Sequence, residues 1–271
     1  MELVDTHCHI QSVEADSGEG QTLKTWQKAT NLSLKAVLKN AHSAGIKRMI
    51  CVGCNLADSQ QAVNFALAHP SCWAAVGIHP HEARHYLNLA KPKLDEFKKL
   101  LSQPKTVAIG ECGLDYYYQH SLPADQAQVL RFQIELAKEH NLPLIFHVRA
   151  AYDDFWPIFD QFSGLSGVLH SFTDSAANMQ QALKRGLYIG VNGIATFTKD
   201  QAQLNVYKTI PIDKLVLETD APFLTPTPYR GNINEPKNVG VIAKFLADLR
   251  CQSLEEIAAE TTKNARRLFG F

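Results

Sequence analysis

Two histidines stand close to the start of the chain, in the stretch VDTHCHI at residues 4–10. His7 and His9 flank Cys8, so three side chains that can bind a metal ion stand in a row. Successive side chains of a β-strand point to opposite faces. The rings of His7 and His9 would therefore share one face, while Cys8 would point away as a small buried residue. The pattern predicts two imidazole ligands at the end of a first strand.

Further polar side chains stand where other apolar, strand-like runs end. They are His79 and His81 in GIHPH, Glu111 in GECGLDY, His147 and Arg149 after PLIF, His170 in GVLHS, and Glu218 and Asp220 in LETD. A single histidine in such a place is usually structural. Several imidazoles and carboxylates buried together are costly without a counter-charge. Divalent cations remove that cost and accept both nitrogen and oxygen ligands, so the set predicts a metal centre.

The residue types also indicate roles. In a two-metal site the ions are bridged by a carboxylate or a hydroxide. Glu111 is the candidate bridge, and His147 and His170 would complete the second ion. Asp220 is placed to orient the attacking water or to accept its proton, and alternation would pair it with Glu218 as a second inward carboxylate. Asp220 and Glu111 are therefore the predicted catalytic residues.

Eight short apolar runs alternate with segments of helical periodicity. The runs are residues 3–9, 48–53, 73–79, 106–111, 143–148, 167–171, 188–193 and 214–220, and clear helical patterns cover 124–140 and 253–268. This order favours a single-domain TIM (β/α)8 barrel over residues 1–271, with a doubly wound open sheet as the alternative. The C-terminal strand ends of such a barrel open on one face, which would bring the polar residues together.

The bulk composition excludes some classes of protein. The 271 residues carry no formal net charge, so no global field attracts nucleic acid or a membrane surface. No apolar run reaches the about 18–20 residues of a membrane span, and the start lacks the pattern of a signal peptide. We therefore expect a cytoplasmic protein without a membrane partner, and a monomer by default.

Two further segments allow more than one interpretation. The six cysteines are too few for a disulfide framework in a chain of this length, and CVGC at residues 51–54 has redox or zinc spacing without a second pair. Its place at the end of an apolar run favours buried strand residues. The polar, glycine-containing segment 11–30 follows the first strand. It would be a long loop at the barrel mouth, either a lid or substrate rim or a disordered surface loop.

Seven motifs in order resemble those of the TatD-type metal-dependent hydrolases, TIM-barrel deoxyribonucleases of the amidohydrolase superfamily. They are DTHCH, GIHPH, GECGLDY, the His147-x-Arg149 pair, GVLHSF, LETDAP and PYRGNINEP. The resemblance extends from Val4 to the C-terminal helix. The resemblance implies two divalent ions. The first would be held by His7, His9, Glu111 and Asp220, and the second by Glu111, His147 and His170. Mg²⁺ is the implied working ion, while the histidine-rich shell also suits Zn²⁺ or Mn²⁺.

The resemblance further implies a DNA substrate, single-stranded or attacked at a 3′ end, whose phosphodiester bonds are cleaved by a metal-activated water. The protein would then be a 3′–5′ exonuclease. Arg149 shares a strand face with His147 and could hold a phosphate with its planar guanidinium group. His81, Tyr229 and Arg230 lie on predicted mouth loops and are candidate substrate contacts.

Three features depart from the family pattern: Ala150 stands where an acidic residue is frequent, Ser171 stands where cysteine is common, and segment 11–30 is long. Two other functions stay open. The same barrel mouth could hydrolyse ester or amide bonds, for example as a deacylase of aminoacyl-tRNA, or the barrel could bind without catalysis. Many relatives of the first kind bridge their ions with a carbamylated lysine, so Glu111 favours the nuclease. The complete ligand set argues against a non-catalytic protein.

Overall fold

The computed structural model describes residues 1–13, 21–29, 32–87 and 91–271, with side chains in the last range from residue 93 onward. The strands of these described residues are β1 (Leu3–Cys8), β2 (Ile46–Val52), β3 (Cys72–Val76), β4 (Thr106–Asp115), β5 (Leu144–Arg149), β6 (Gly167–Leu169), β7 (Tyr188–Val191) and β8 (Leu215–Leu217). The helices are α1 (Gln21–Trp26), α2 (Leu34–Ser43), α3 (Leu56–Ala68), α4 (Lys91–Leu101), α5 (Pro123–His140), α6 (Tyr152–Phe159), α7 (Ala176–Lys184), α8 (Gln201–Thr209), α9 (Val239–Arg250) and α10 (Leu254–Phe269).

The eight strands belong to one sheet, in the order β1 to β8. The pairs with a resolved register are all parallel, and helices lie between successive strands of the sequence. A parallel bridge joins Cys8 to Ala221, so the end of β1 lies beside the chain that leaves β8. This is the TIM (β/α)8 barrel, and the predicted fold class is confirmed.

The chain divides into two compact units. The first contains Met1–Cys51 and Ser171–Arg267, and the second contains Val52–His170 and Leu268–Phe271. In the second unit the core includes Phe146 of β5, whose ring contacts the rings of Phe155 and Phe159 of α6 at centroid distances of 5.1 and 5.8 Å. Such contacts between buried aromatic rings hold helix and strand together.

Each predicted strand is present, but two have bounds that matter for the polar residues. β4 extends to Asp115, so Glu111 lies inside this strand rather than after it. β8 ends at Leu217, so Glu218 and Asp220 lie beyond the strand. The helix predicted at 124–140 is α5, and the helix predicted at 253–268 is α10, where the Ser253 hydroxyl accepts the N–H of Glu256.

Part of the segment predicted as a long loop at residues 11–30 is helical. Helix α1 ends at Trp26, which is 3% exposed and donates its indole N–H to the carbonyl of His9 at 3.0 Å. Burial of this large ring anchors helix α1. Residues 14–20 and 30 of the segment lie outside the described residues, so the alternatives of lid and surface loop stay predictions.

The strand interpretation holds for Cys51 but not for Cys54, which lies beyond the strand and is only half-buried. Cys51 is buried in β2, Cys54 follows the strand end, and all six cysteines are described and form no disulfide. Among the described residues no helix combines the length and apolar character that crossing a membrane requires.

Candidate metal centre

The first unit holds a compact group of three donor atoms, which we call the His–Asp cluster: His7, His9 and Asp220. His7 Nε2 and His9 Nε2 are 3.3 Å apart, and Asp220 Oδ1 lies 3.5 Å from the first and 3.3 Å from the second. Ligand atoms that share one ion lie about 3.0 Å apart around octahedral Mg²⁺ and about 3.4 Å apart around tetrahedral Zn²⁺. The cluster therefore fits a small divalent cation.

Local backbone structure explains how these three side chains meet. The N–H of Asp220 donates to the carbonyl of His7, and the N–H of His9 donates to the carbonyl of Ala221, both at 2.8 Å. Asp220 has φ +59°, a left-handed conformation that aspartate tolerates better than most residues. The turn after β8 thereby directs the Asp220 carboxylate toward the two imidazoles.

The strand alternation that predicted Glu218 beside Asp220 does not apply, because β8 ends at Leu217 and Asp220 has a left-handed backbone. Glu218 is fully buried, and its Oε1 accepts the N–H of Ser171 at 2.6 Å. The Ser171 hydroxyl in turn accepts a hydrogen bond from the Asn192 side chain at 2.7 Å. Glu218 therefore supports the backbone after β6, and Ser171 joins this polar network.

Asp5 supports the His–Asp cluster from β1. Its Oδ1 accepts the backbone N–H groups of His7 and Thr219, and its Oδ2 accepts the Thr219 hydroxyl at 2.5 Å. Burial raises the pKa of Asp5 to about 8, although the hydrogen bonds from Thr219 act in the opposite direction. Asp5 thus links the strand that carries His7 to the turn that carries Asp220.

The second unit holds another group, which we call the Glu–His cluster: Glu111, Asp115 and His147. Glu111 Oε1 is 2.7 Å from His147 Nδ1, and Asp115 Oδ2 is 2.9 Å from His147 Nε2. A carboxylate on the far nitrogen is the usual device that orients a metal-binding histidine and fixes its tautomer. Without a metal ion, Nδ1 is within hydrogen-bond distance of Glu111 and donates to it when the ring is protonated. Nδ1 is therefore the ring nitrogen that would bind a cation shared with Glu111 once it has lost its proton.

Two more imidazoles of this unit face Glu111. His79 Nε2 and His170 Nε2 lie 3.6 and 3.8 Å from Glu111 Oε1. Burial lowers the pKa of His79 well below its usual value, so this ring stays neutral, the form that binds metal ions. His79, Glu111 and His147 together offer donor atoms close enough to hold a cation. The sequence marked His79 only as a residue at a strand end.

Sequence reasoning missed Asp115. Burial alone would raise its pKa, but hydrogen bonds from His147 and His81 hold the pKa of Asp115 well below its usual range. The carboxylate therefore stays ionised and accepts from His147. Conversely, burial lowers the pKa of His147 while hydrogen bonds to Asp115 and Glu111 outweigh that effect and raise it to about 9. A period-two count from Glu111 along β4 would have placed Asp115 on the same strand face.

The predicted substrate contacts have different surroundings. Arg149 is exposed at the end of β5, and His81 Nε2 lies 3.0 Å from Asp115 Oδ2. Tyr229 is exposed and lines a cleft of about 800 Å³ in the first unit, together with Lys28 and Lys237.

Arg230 makes contacts with other residues of the first unit. Its guanidinium group lies 3.9 Å from the centre of the Phe197 ring, and one of its N–H groups donates to the carbonyl of Thr225 at 2.9 Å. These contacts order the loop after β8, so of the four candidates Arg230 has the clearest structural role.

Comparison with known proteins shows the family of this chain. A family model described as "TatD related DNase" matches residues 4–270. A Bacillus subtilis protein named "Uncharacterized metal-dependent hydrolase YabD" is 36% identical over 269 residues, with 98% of each chain covered. A Salmonella typhimurium protein named "3'-5' ssDNA/RNA exonuclease TatD" is 37% identical over 240 residues, covering 86% of this chain and 91% of that protein.

Solved structures show the same architecture. The crystal structure of YJJV, a TatD homologue from Escherichia coli K12, matches with a TM-score of 0.84 at 26% identity, covering 99% of this chain and 98% of that one. A hydrolase of the TatD family from Entamoeba histolytica matches with a TM-score of 0.82 at 24% identity over 99% and 98% of the two chains, and this similarity concerns the fold.

Proposed function

Since the chain belongs to the family of TatD-related DNases and is a metal-dependent hydrolase of that family, we propose that it is a 3′–5′ exonuclease that hydrolyses phosphodiester bonds of single-stranded DNA. The observation that carries the proposal is the triangle of His7, His9 and Asp220, whose donor atoms lie 3.3–3.5 Å apart. Phosphodiester hydrolysis at neutral pH needs a strong nucleophile and compensation of phosphate charge, which divalent ions provide.

The proposed ligands come from both clusters. One ion would be held by His7, His9, Glu111 and Asp220, and a second by Glu111, His147 and His170. Mg²⁺ is the proposed working ion, with Mn²⁺ and Zn²⁺ as candidates of the same charge. His79 is a further possible donor to the second ion because it lies as close to Glu111 as His170 does.

Bound ions would supply Lewis acidity and a water of lowered pKa. Residues of the chain would handle the proton, bind the phosphate and orient a metal ligand. Asp220 orients the attacking water or accepts its proton. Arg149, which lies two residues after His147 in β5, binds a phosphate of the strand through paired N–H groups. Asp115 keeps the His147 ring in one tautomer and one orientation.

The printed names of relatives support a nucleic-acid substrate at a 3′ end, since several proteins 35–38% identical to this chain are named 3′–5′ ssDNA/RNA exonucleases. RNA is therefore tested beside DNA. We further propose that residues 1–271 act as one barrel, that the protein is a monomer, and that it works in the cytoplasm, where six cysteines without a disulfide are stable as thiols.

One panel tests the function. Purified protein is stripped with a chelator, reloaded with Mg²⁺, Mn²⁺ or Zn²⁺, and given 3′- and 5′-labelled single-stranded DNA, duplex DNA, RNA and an aminoacyl ester. We expect chelator-sensitive release of nucleotides from 3′ ends of single strands, and loss of that release in Asp220→Asn. Cleavage confined to the ester would replace the nuclease by a deacylase, and a 5′-first product ladder would reject the direction.

A further inference from the structure

Two adjacent tyrosines are exposed just beyond β4, after Tyr116. Tyr117 is 62% exposed and Tyr118 is 43% exposed, whereas most large apolar side chains of the described residues are buried. Their ring centroids are 4.8 Å apart and their planes meet at 85°. Two adjacent exposed aromatic rings offer surfaces on which a flat ligand can stack.

A cation lies against the same rings. The Arg149 guanidinium carbon is 4.0 Å from the centre of the Tyr117 ring and 5.0 Å from the centre of the Tyr118 ring. Attraction between a cation and the face of an aromatic ring holds the guanidinium group in place on this surface. Tyr117, Tyr118 and Arg149 thus form one unit with both planar rings and a positive charge, which we call the Tyr–Arg platform.

One carboxylate fixes the platform next to the Glu–His cluster. Asp115 Oδ1 accepts the backbone N–H groups of Tyr117 and Tyr118, each at 3.0 Å. The other oxygen of the same carboxylate accepts from His147 at 2.9 Å. The backbone that carries the rings and the candidate ligand His147 are therefore held by a single side chain, so their spacing is set by Asp115.

We propose that the Tyr–Arg platform stacks an unpaired base of the substrate strand beside the scissile phosphate, while Arg149 contacts the neighbouring phosphate. Bases stack on aromatic rings whatever their sequence, and arginine adds attraction to the phosphate and to the base. Bases of a duplex are stacked on one another and cannot occupy such a surface. The platform therefore selects single strands without selecting sequence. This inference rests on the proposed function, because it assigns a base-binding role next to that metal centre.

Binding without hydrolysis provides the first test. A fluorescently labelled single-stranded oligonucleotide is titrated with full-length protein in a chelator, and anisotropy reports the dissociation constant. We expect Tyr117→Ala and Tyr118→Ala each to weaken binding about 5- to 150-fold, the range observed for loss of one base–aromatic stack. Tyr117→Phe and Tyr118→Phe keep the rings and should stay within about 2-fold of wild type. Leu67→Ala, an exposed apolar residue on α3, is the matched control.

Abasic scanning provides the second test and separates stacking from packing. Oligonucleotides that lack one base at each position in turn, counted from the 3′ end, are bound by wild type and by both alanine variants. We expect one position at which loss of the base weakens wild-type binding, and no such effect at that position in the alanine variants. Equal sensitivity of wild type and variants at all positions would show that the rings only pack the surface, and would overturn the platform.

The two proposals fail in different ways. If wild type shows no metal-dependent release of nucleotides but binding still depends on the Tyr rings and on one base, the nuclease proposal is rejected and the platform stands. If release occurs and neither alanine variant changes binding or KM, the platform is rejected and the nuclease stands. Thermal unfolding of each variant is recorded in parallel, and rescue by the Phe variants excludes a general loss of structure.

Discussion

Asp115 and His147 form a carboxylate–imidazole pair in which Asp115 Oδ2 accepts the Nε2–H group at 2.9 Å, on the side of the ring away from Glu111. The pair joins β4 to β5, two strands that also share a continuous parallel register from Cys112 and Phe146 onward. The orientation of a candidate metal ligand is therefore fixed by the same two strands whose pairing builds the second unit.

Asp115→Asn should weaken metal binding without unfolding the protein. An amide keeps the volume but can present its NH₂ group to His147, which removes the preference for one tautomer. Loss of an orienting partner of a metal ligand typically costs about 10- to 100-fold in metal affinity. Isothermal titration of stripped protein with Mn²⁺ or Zn²⁺ measures the metal affinity. Asp213→Asn, a substitution at an exposed position, is the control. Equal affinities of the two variants would show that Asp115 does not orient the ligand.

The metal-free protein should lose stability as the pH rises. The folded-state pKa of His147 is about 9, above the ordinary value of 6.5, because carboxylates bind its protonated ring. The stabilisation of the folded state by the protonated His147 ring is fully present below pH about 6.5 and is lost as the pH rises through about 9. Denaturant unfolding in a chelator between pH 6 and 9.5 should show this slope, and His147→Gln should flatten it. An unchanged slope in the variant would assign the effect to another group.

Asp220→Asn should keep the fold and remove most activity. Asparagine also tolerates a left-handed backbone, so φ +59° at position 220 costs little in the variant. Loss of a general base typically lowers kcat by about 10²- to 10⁴-fold. Rates on single-stranded DNA, measured together with the metal content of the variant, test this. Near wild-type hydrolysis would exclude Asp220 from proton transfer.

Glu111→Ala should lower the number of ions bound per chain. Glu111 Oε1 is within 4 Å of a nitrogen of His79, His147 and His170, so its removal takes away the carboxylate that these imidazoles share. Metal analysis after reloading and gel filtration counts the bound ions. A variant that still binds two ions per chain would exclude Glu111 as the bridge.

The parts of the candidate site that lie on extended backbone were predictable from the sequence. The eight apolar runs predicted the strands, and alternation in β1 placed His7 and His9 together while Cys8 Sγ lies 3.4 Å from the carbonyl of Ile50. Alternation did not extend over Glu218 and Asp220, because the backbone beyond β8 is left-handed at Asp220, with φ +59°. It also could not reveal the partner of Asp115, since that partner stands on another strand and depends on register, which no local pattern encodes.

Substitution of Trp26 tests whether helix α1, in the segment after β1, is packed. The indole ring is 3% exposed, and its N–H donates to the carbonyl of His9, next to the His–Asp cluster. Removing a buried Trp side chain typically costs about 3–5 kcal/mol, whereas loss of one hydrogen bond costs about 1 kcal/mol. Trp26→Ala should therefore lower the free energy of unfolding far more than Trp26→Phe. Denaturant unfolding measures both, and a negligible effect of Trp26→Ala would show that α1 does not pack there. If α1 also supports the cluster, the alanine variant should bind the first metal ion more weakly than the phenylalanine variant does.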